Sequence, residues 1–434
     1  MNKPANANTC CGTAAEAPNT FIFSREQVDQ DPYEVPLDEY SPANPYLFSN
    51  NKHGPWFKRL REESPVHYCA ESDFGPYWSV TRYEDIMKVD TSHEIFSSEP
   101  SINIRDQPDD FRLPMFIAMD RPKHDLQRKV VNPVVGAENL RNFESMIRER
   151  TIEVLESLPV EEEFDWVEKV SIELTTRMLA TLFDFPFEDR SLLTKWSDFA
   201  TSMPDPENGN TQEVRRDVMG ECLSYFTQLW NERVNDPPKF DFISMMIHGE
   251  ATKDMSPPEY LGNLLLLIVG GNDTTRNTMS GSVLALHKFP EQFAKLKANQ
   301  NLLPSMISET IRWQTPLAHM RRRATIDTEL GGQTIKAGDK VVMWYVSGNR
   351  DESFFERPDE FDIERENVRK HLSFGFGIHR CMGNRLAELQ VQILWEELLK
   401  RFDRVEVVGK ETRNESVFVR GYTSLPVKLH PVSA

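Results

Sequence analysis

Apolar positions along this chain recur mostly at the spacing of helices. Leu386, Leu389, Ile393, Leu394 and Leu398 fall at helical intervals, with Glu388, Glu396, Glu397 and Lys400 among the polar positions, which predicts an amphipathic helix near the C-terminus. The run from Leu264 to Val269 is apolar throughout, then meets Gly270, Gly271 and the polar Asn-Asp-Thr-Thr of 272–275. Each glycine weakens such a helix by about 1 kcal/mol relative to alanine, so something beside it needs space. A short helix is expected over 55–63, and a strand over 78–81 leads into a helix over 83–91. Helical patterns dominate 122–313, with breaks near Pro186 and across 204–210. From 321 to 345 the pattern shortens to β-type runs, punctuated by Gly331-Gly332 and Gly338-Asp339 as hairpin turns. Residues 100–118 scatter Ile102, Ile104, Leu113, Met115 and Phe116 irregularly among Pro, Asp and Asn. That pattern predicts a long loop with apolar side chains, a class of loop usually tied to function. No internal repeat is visible.

A chain of 434 residues is long enough for a large core, and 39% hydrophobic and 27% charged residues are ordinary for a globular protein. Length alone would suggest two or three domains, yet no linker interrupts the middle of the chain. The leader, 1–40, is polar and holds adjacent Cys10 and Cys11; it reads as a flexible extension. The net charge of −18 makes nucleic acid or an anionic membrane surface a poor partner for the molecule as a whole. No apolar run spans a bilayer and no signal pattern opens the chain, so cytoplasmic residence is expected. The five cysteines, Cys10, Cys11, Cys69, Cys222 and Cys381, form no disulfide framework, in keeping with a reducing compartment.

One cysteine is different. Residues 374–383 read Phe-Gly-Phe-Gly-Ile-His-Arg-Cys-Met-Gly, so Cys381 sits in a turn built on Gly375 and Gly377, at the entrance of the C-terminal helix. Glycines let backbone amides approach the sulfur, and the positive end of the helix lowers the thiol pKa, which suits a thiolate on a metal. Structural zinc is excluded by the lack of paired Cys or His ligands nearby. The whole run resembles the haem-binding loop of the cytochrome P-450 family. That resemblance, with the absence of a linker, implies a single domain over 41–434, mainly α with a small β lobe, and a haem b cofactor. It makes Cys381 the proximal iron ligand, with Phe374 shielding the sulfur, Gly375 and Gly383 against the haem, and His379 reaching a propionate.

The apolar run at 264–275 is similar to the family's distal helix. By that resemblance Gly271 lies against the haem, Thr274 hydrogen-bonds the bound oxygen and Asp273 delivers the protons that drive O–O cleavage. Gly270 stands where many members carry Ala, which widens the pocket. Glu309 and Arg312, three apart, match the family's Glu-x-x-Arg, and Arg365 matches the third member of its buried charge network, a structural brace. His124 and Arg128, at i and i+4, and Arg322, chosen from its spacing to Asp327, are the remaining propionate donors by family position.

Several stretches, including 115–120, 311–317, 342–345 and 380–388, resemble the soluble bacterial alkane and fatty-acid terminal hydroxylases. This implies oxidation of medium-chain n-alkanes to 1-alkanols, with fatty acids or cyclic terpenes as alternative substrates. It implies as partners O2, a [2Fe–2S] ferredoxin and an NADH-dependent ferredoxin reductase. No Gly-x-Gly-x-x-Gly follows a strand here, so electrons are expected from elsewhere. Family positions for the substrate wall are Ile102, Leu113, Phe116, Phe199, Leu266, Val269, Gly270, Leu317, Phe418 and Val419. A haem gas sensor would gain nothing from Asp273-Thr274, and a peroxygenase would replace that pair.

Overall fold

Pro257, placed where a helix has no use for its amide hydrogen, opens a 32-residue helix that ends at Lys288. Its side chains are buried on almost every side from Tyr260 to Leu286, as a helix through the centre of a large core must be. This is a computed structural model describing residues 23–204 and 209–432. Within them the chain is mainly helical, with a small β lobe. The Glu173–Leu182, Ser191–Thr201, Leu303–Gln314 and Asn384–Arg401 helices pack around the long one. The Asn384–Arg401 helix buries Leu386, Ile393, Leu394 and Leu398 of the predicted apolar face, and Leu389 is partly buried against the core.

The β lobe is a five-stranded sheet in the spatial order Val66–Cys69, Tyr77–Val80, Lys340–Met343, Met320–Ala324, Phe96–Ser97. Only the second and third of these run parallel. The expected Gly331-Gly332 turn joins a Thr328–Leu330 and Gln333–Ile335 hairpin. Both glycines take positive φ, 55° and 78°, as a two-residue hairpin loop demands. A second sheet pairs Pro426–Pro431 with Phe402–Val407 and Glu163–Asp165. The helical pattern expected to dominate 122–313, with its breaks near Pro186 and across 204–210, missed the Glu163–Asp165 strand, because three residues are too few to show a period.

The 100–118 segment is a loop as expected, but it is pinned at several points. The Ile104 N–H donates to His319 Nε2 at 3.0 Å, and His319 Nδ1 contacts the Val417 carbonyl at 2.8 Å. One neutral imidazole thus ties two loops together. The Phe116 N–H donates to Asn263 Oδ1 at 2.8 Å, and a side chain at Gly262 would collide with the Pro114 carbonyl, so this loop lies directly on the long helix.

Glu309 and Arg312, by spacing an ordinary surface pair, are fully buried. The carboxylate accepts two Arg312 hydrogen bonds of 2.7 Å and one from Arg365 Nε at 3.2 Å. Arg312 Nη1 also donates to the Asn349 and Pro358 carbonyls, both at 2.7 Å. The Asn349 side chain accepts from the Leu372 N–H at 2.7 Å and donates to Ser373 Oγ at 2.9 Å. The cluster therefore fixes the backbone that leads into 374–383.

The leader departs from expectation where it is described. Residues 1–22 lie outside the described residues. Over 23–40 the chain forms two short 3-10 turns, Glu26–Asp29 and Leu37–Glu39, and packs Val28, Val35 and Leu37 against a core that includes Tyr40 and Trp56. Arg59 holds this segment by donating to the Val35 carbonyl at 2.6 Å.

Burial pushes His319 and His371 down to a pKa of about 3, and His53 well below the usual value. In the unfolded chain these imidazoles titrate near 6.5, so the unfolded state takes up protons that the folded state refuses. The stability they confer is complete above that pH and is lost as pH falls toward the folded values. Urea denaturation should show the unfolding free energy falling between about pH 7 and about pH 5.5, by up to roughly 1.4 kcal/mol per pH unit for each histidine. His319→Gln should flatten the slope, and a pH-independent stability across that window would contradict the burial argument.

Candidate active site

The Cys381 N–H donates to the Phe374 carbonyl at 2.8 Å, closing the loop on itself just before the Asn384–Arg401 helix. Gly375 and Gly377 take φ of 63° and 66°, which side chains rarely adopt. At Gly377 a Cβ would also sit 2.6 Å from the Asp90 carbonyl oxygen. Asp90, on the Tyr83–Thr91 helix, is the organiser that sequence reasoning missed. Its buried carboxylate accepts the Phe376 N–H at 2.7 Å, the Tyr345 hydroxyl at 2.9 Å and Arg322 Nη2 at 2.8 Å.

The Cys381 sulfur opens onto an internal cavity while protein surrounds it, so it has accessible surface and yet is poorly solvated. The expected lowering of its thiol pKa does not prevail. Burial pushes the thiol up; the Gly383 and Asn384 amides, with Arg128 and Arg380, act in the opposite direction but do not overcome it. A cation at the sulfur is needed to complete the anion.

The cavity encloses about 380 Å3, a volume typical of small-molecule sites. Of the expected wall, Ile102, Leu113, Phe116, Leu266, Val269, Gly270, Leu317 and Phe418 line it. Phe199 and Val419 do not line it. Ala200 and Thr201 face the cavity, whereas Phe199 turns against the helical core. Val419 is fully buried and bridges Leu317, because successive residues of an extended segment point to opposite sides and Phe418 has the cavity side. The two glycines also separate: a Cβ at Gly270 would meet nothing, while one at Gly271 would sit 2.7 Å from Leu179 Cδ2. Gly271 borders the cavity by its backbone, and its missing side chain serves helix packing.

His124, Arg128, Arg322, Phe374, Gly375, His379 and Gly383 come together around Cys381. The His124 and His379 rings lie 4.3 Å apart. His124 Nδ1 contacts Asp125 at 2.7 Å, but its Nε2 and both ring nitrogens of His379 are buried without a partner among the described residues. Burial pushes the His379 pKa down to about 2, with Arg322, His124 and Arg128 adding to the shift. Arg128 Nη2 donates to the Arg380 carbonyl at 2.5 Å and has no ion pair among the described residues. Buried donors without acceptors, next to unneutralised positive charge, fit a group that brings its own carboxylates. Haem b, with a propionate pair and an iron for the sulfur, is such a group.

Thr274 lines the cavity and its hydroxyl donates to the Gly270 carbonyl at 2.8 Å. Asp273 is fully buried and points away, toward the Ser191–Thr201 helix. It accepts from Ser197 Oγ at 2.8 Å and pairs with Arg276, which also reaches the half-exposed Asp198 at 3.0 Å. Burial pushes the Asp273 carboxyl up, against the pull of Arg276 and of the Ser197 and Thr201 hydroxyls. The pair expected to act side by side is therefore divided, with Thr201, another cavity-lining hydroxyl, on the Asp273 side.

Residues 151–428 match the family model described as Cytochrome P450. The chain is similar to CYP153D17 from Sphingomonas sp. PAMC 26605, at 50% identity and a TM-score of 0.86, covering 91% of this chain and 100% of that structure. It is 36% identical to linalool 8-monooxygenase of Pseudomonas putida over 89% of this chain and 98% of that protein. To the methyl-branched lipid omega-hydroxylase of Mycobacterium tuberculosis it is 30% identical over 94% of this chain and 99% of that protein.

Asp90 gives the site its sharpest test. Asp90→Asn keeps the shape but leaves Arg322 a buried, unpaired cation, and breaking such a pair costs roughly 3–5 kcal/mol. Chemical denaturation should register a loss of that order, together with reduced haem retention. A variant as stable as the parent would remove Asp90 from its organising place.

Proposed function

The chain belongs to the cytochrome P450 family, and from that premise we propose that it hydroxylates the terminal methyl group of medium-chain n-alkanes to give 1-alkanols. The observation that carries this reading is the apolar cavity beside Cys381, walled by Leu266, Val269, Leu317 and Phe418 and by the pinned 102–116 loop. Haem b, the cofactor of the family, supplies when bound the activation of dioxygen and the transfer of one oxygen atom to a C–H bond. The balance is one alkane, one O2, two electrons and two protons giving one alcohol and one water.

The residues of this chain hold the cofactor, aim the substrate and handle protons. Cys381 is the iron ligand, and His124, Arg128, Arg322 and His379 are the propionate donors. A terminal C–H bond is stronger than its subterminal neighbour, so regioselectivity has to come from a wall that admits only the chain end. Leu317 suits that task because its backbone is bridged to Val419 and cannot easily swing away. Asp273, whose carboxyl burial pushes up while Arg276 and the Ser197 and Thr201 hydroxyls pull it down, lies between half-exposed Asp198 and the cavity hydroxyl of Thr201, where it can relay protons toward the cavity. The two electrons are assigned to a [2Fe–2S] ferredoxin and its NADH-dependent reductase, in keeping with the branch resemblance.

Gas chromatography of products from n-octane, with ferredoxin and reductase supplied, should show 1-octanol dominating. Leu317→Ala should shift product toward 2-octanol by opening the wall. Mainly subterminal alcohols from the unmodified enzyme at every chain length tried would overturn terminal selectivity.

Thr274→Ala should keep haem and substrate binding but divert electrons into peroxide, since a cavity hydroxyl of the proton path is lost. Alcohol formed per NADH consumed should fall severalfold; unchanged coupling would make Thr274 a structural residue only.

A further inference from the structure

Four arginines gather where the 100–118 loop meets the start of the Gln212–Arg233 helix. Two have carboxylates: Arg216 pairs with Asp110 at 2.6 Å, and Arg112 pairs with Asp109. The other two, Arg105 and Arg215, both line the cavity and have no ion pair among the described residues. Arg105 makes no side-chain hydrogen bond there, and its Nη1 is buried without a partner. Its position is nonetheless fixed. The preceding Ile104 N–H is held by His319, and the following Asp106 turns outward to Arg321 at 2.5 Å and Lys340 at 3.0 Å. Asp106 is thus committed elsewhere and does not neutralise its neighbour.

Arg215 Nη1 donates to the Ser202 carbonyl and hydroxyl, both at 3.0 Å, which orients the guanidinium and leaves the rest of its fork without a partner among the described residues. Burial pushes Arg215 down to about 10, and the charge of Arg105 adds to that effect. The two cations therefore repel each other in a poorly solvated wall, a costly arrangement in the absence of an anion. They are also separate from the basic residues of the cysteine loop. The cations that act on Cys381 and His379 include Arg128, Arg322 and Arg380, and neither Arg105 nor Arg215 is among them.

We infer that Arg105 and Arg215 form a site for the anionic head of an alkyl-chain substrate, a carboxylate above all, held while the far methyl end reaches the oxidising centre. The inference rests on the proposed terminal hydroxylation and names a substrate class for it, a medium- to long-chain fatty acid oxidised at its ω-carbon. A guanidinium pair matches the oxygens of one carboxylate in geometry and charge. An alkane gains nothing from it.

The test compares dodecanoate, its methyl ester and n-dodecane with the haem-loaded enzyme, by spin-state titration and by calorimetry. Wild-type enzyme should bind the acid about tenfold or more tightly than the ester, the span expected for charge-assisted hydrogen bonds. Arg105→Gln and Arg215→Gln should erase that preference and leave alkane affinity and haem content unchanged. Arg105→Lys keeps a charge and should retain part of the preference, which gives a readout should the neutral variant fold poorly. Equal binding of acid and ester, undiminished acid affinity in the variants, or haem loss from them would overturn the assignment. Acid binding that is lost in the variants while neither acid nor alkane is hydroxylated at its end would uphold the anion site and overturn the proposed reaction.

Discussion

The floor of the cavity depends on a carboxylate that never touches it. Glu309 holds Arg312 and Arg365, Arg312 holds the Asn349 carbonyl, and the Asn349 side chain holds Leu372 and Ser373, two residues whose positions set the Phe374 carbonyl that receives the Cys381 amide. Most of these links are buried hydrogen bonds, and the first ones carry full charge. Buried ion pairs of this kind add little net stability compared with apolar packing, yet they admit few alternative arrangements. Asp90 closes the same loop from the opposite side by taking the Phe376 amide. The cysteine loop is thus braced by two carboxylates, Glu309 through the backbone that precedes it and Asp90 directly.

Charge in the interior divides along the same lines. In a protein of net charge −18, unneutralised buried cations are not forced by composition. Arg322 is matched by Asp90, and Arg276 by Asp273 and Asp198. Arg128, Arg105 and Arg215 are unmatched among the described residues, and all three face the cavity. Solvation cannot compensate them fully there, so the cavity is a place where anions are favoured at two separate points. The first lies beside Cys381 and belongs to the cofactor's carboxylates. The second lies along the 100–118 loop and the start of the Gln212–Arg233 helix.

What the sequence makes legible is local. The cysteine loop, the helix after it, the glycine hairpin and the Glu309–Arg312 spacing are each carried by a few consecutive residues, and each takes its expected form. The residues that escaped are those whose meaning lies across the chain. Asp90 looks like a polar residue at a helix end until Arg322 and Phe376 arrive beside it, and His319 has no motif at all. Arg105 and Arg215 are 110 positions apart, and what marks them is the lack of an ion pair among the described residues, which no spacing can show. Phe199 and Val419 fail for a finer reason: each is one residue from a cavity-lining neighbour, and a single step along a helix or an extended segment reverses the side facing inward.

That one-residue sensitivity bears on selectivity. A wall that must exclude a weaker C–H bond while admitting a stronger one has to be stiff, because a shift comparable to one carbon–carbon bond exchanges the two. The elements that supply the wall are tied to more than one neighbour. Leu317 is bridged to Val419, the Arg321 N–H donates to the Ile102 carbonyl at 2.8 Å, and His319 joins the 104 and 417 backbones. The His319 tie needs a neutral ring, since Nε2 must accept from Ile104 while Nδ1–H donates to Val417, and burial keeps it neutral far below physiological pH. The same imidazole fixes Ile104, next to Arg105, and Val417, next to Phe418. It therefore places the guanidinium assigned to the substrate head and the aromatic wall along the substrate chain in one rigid frame.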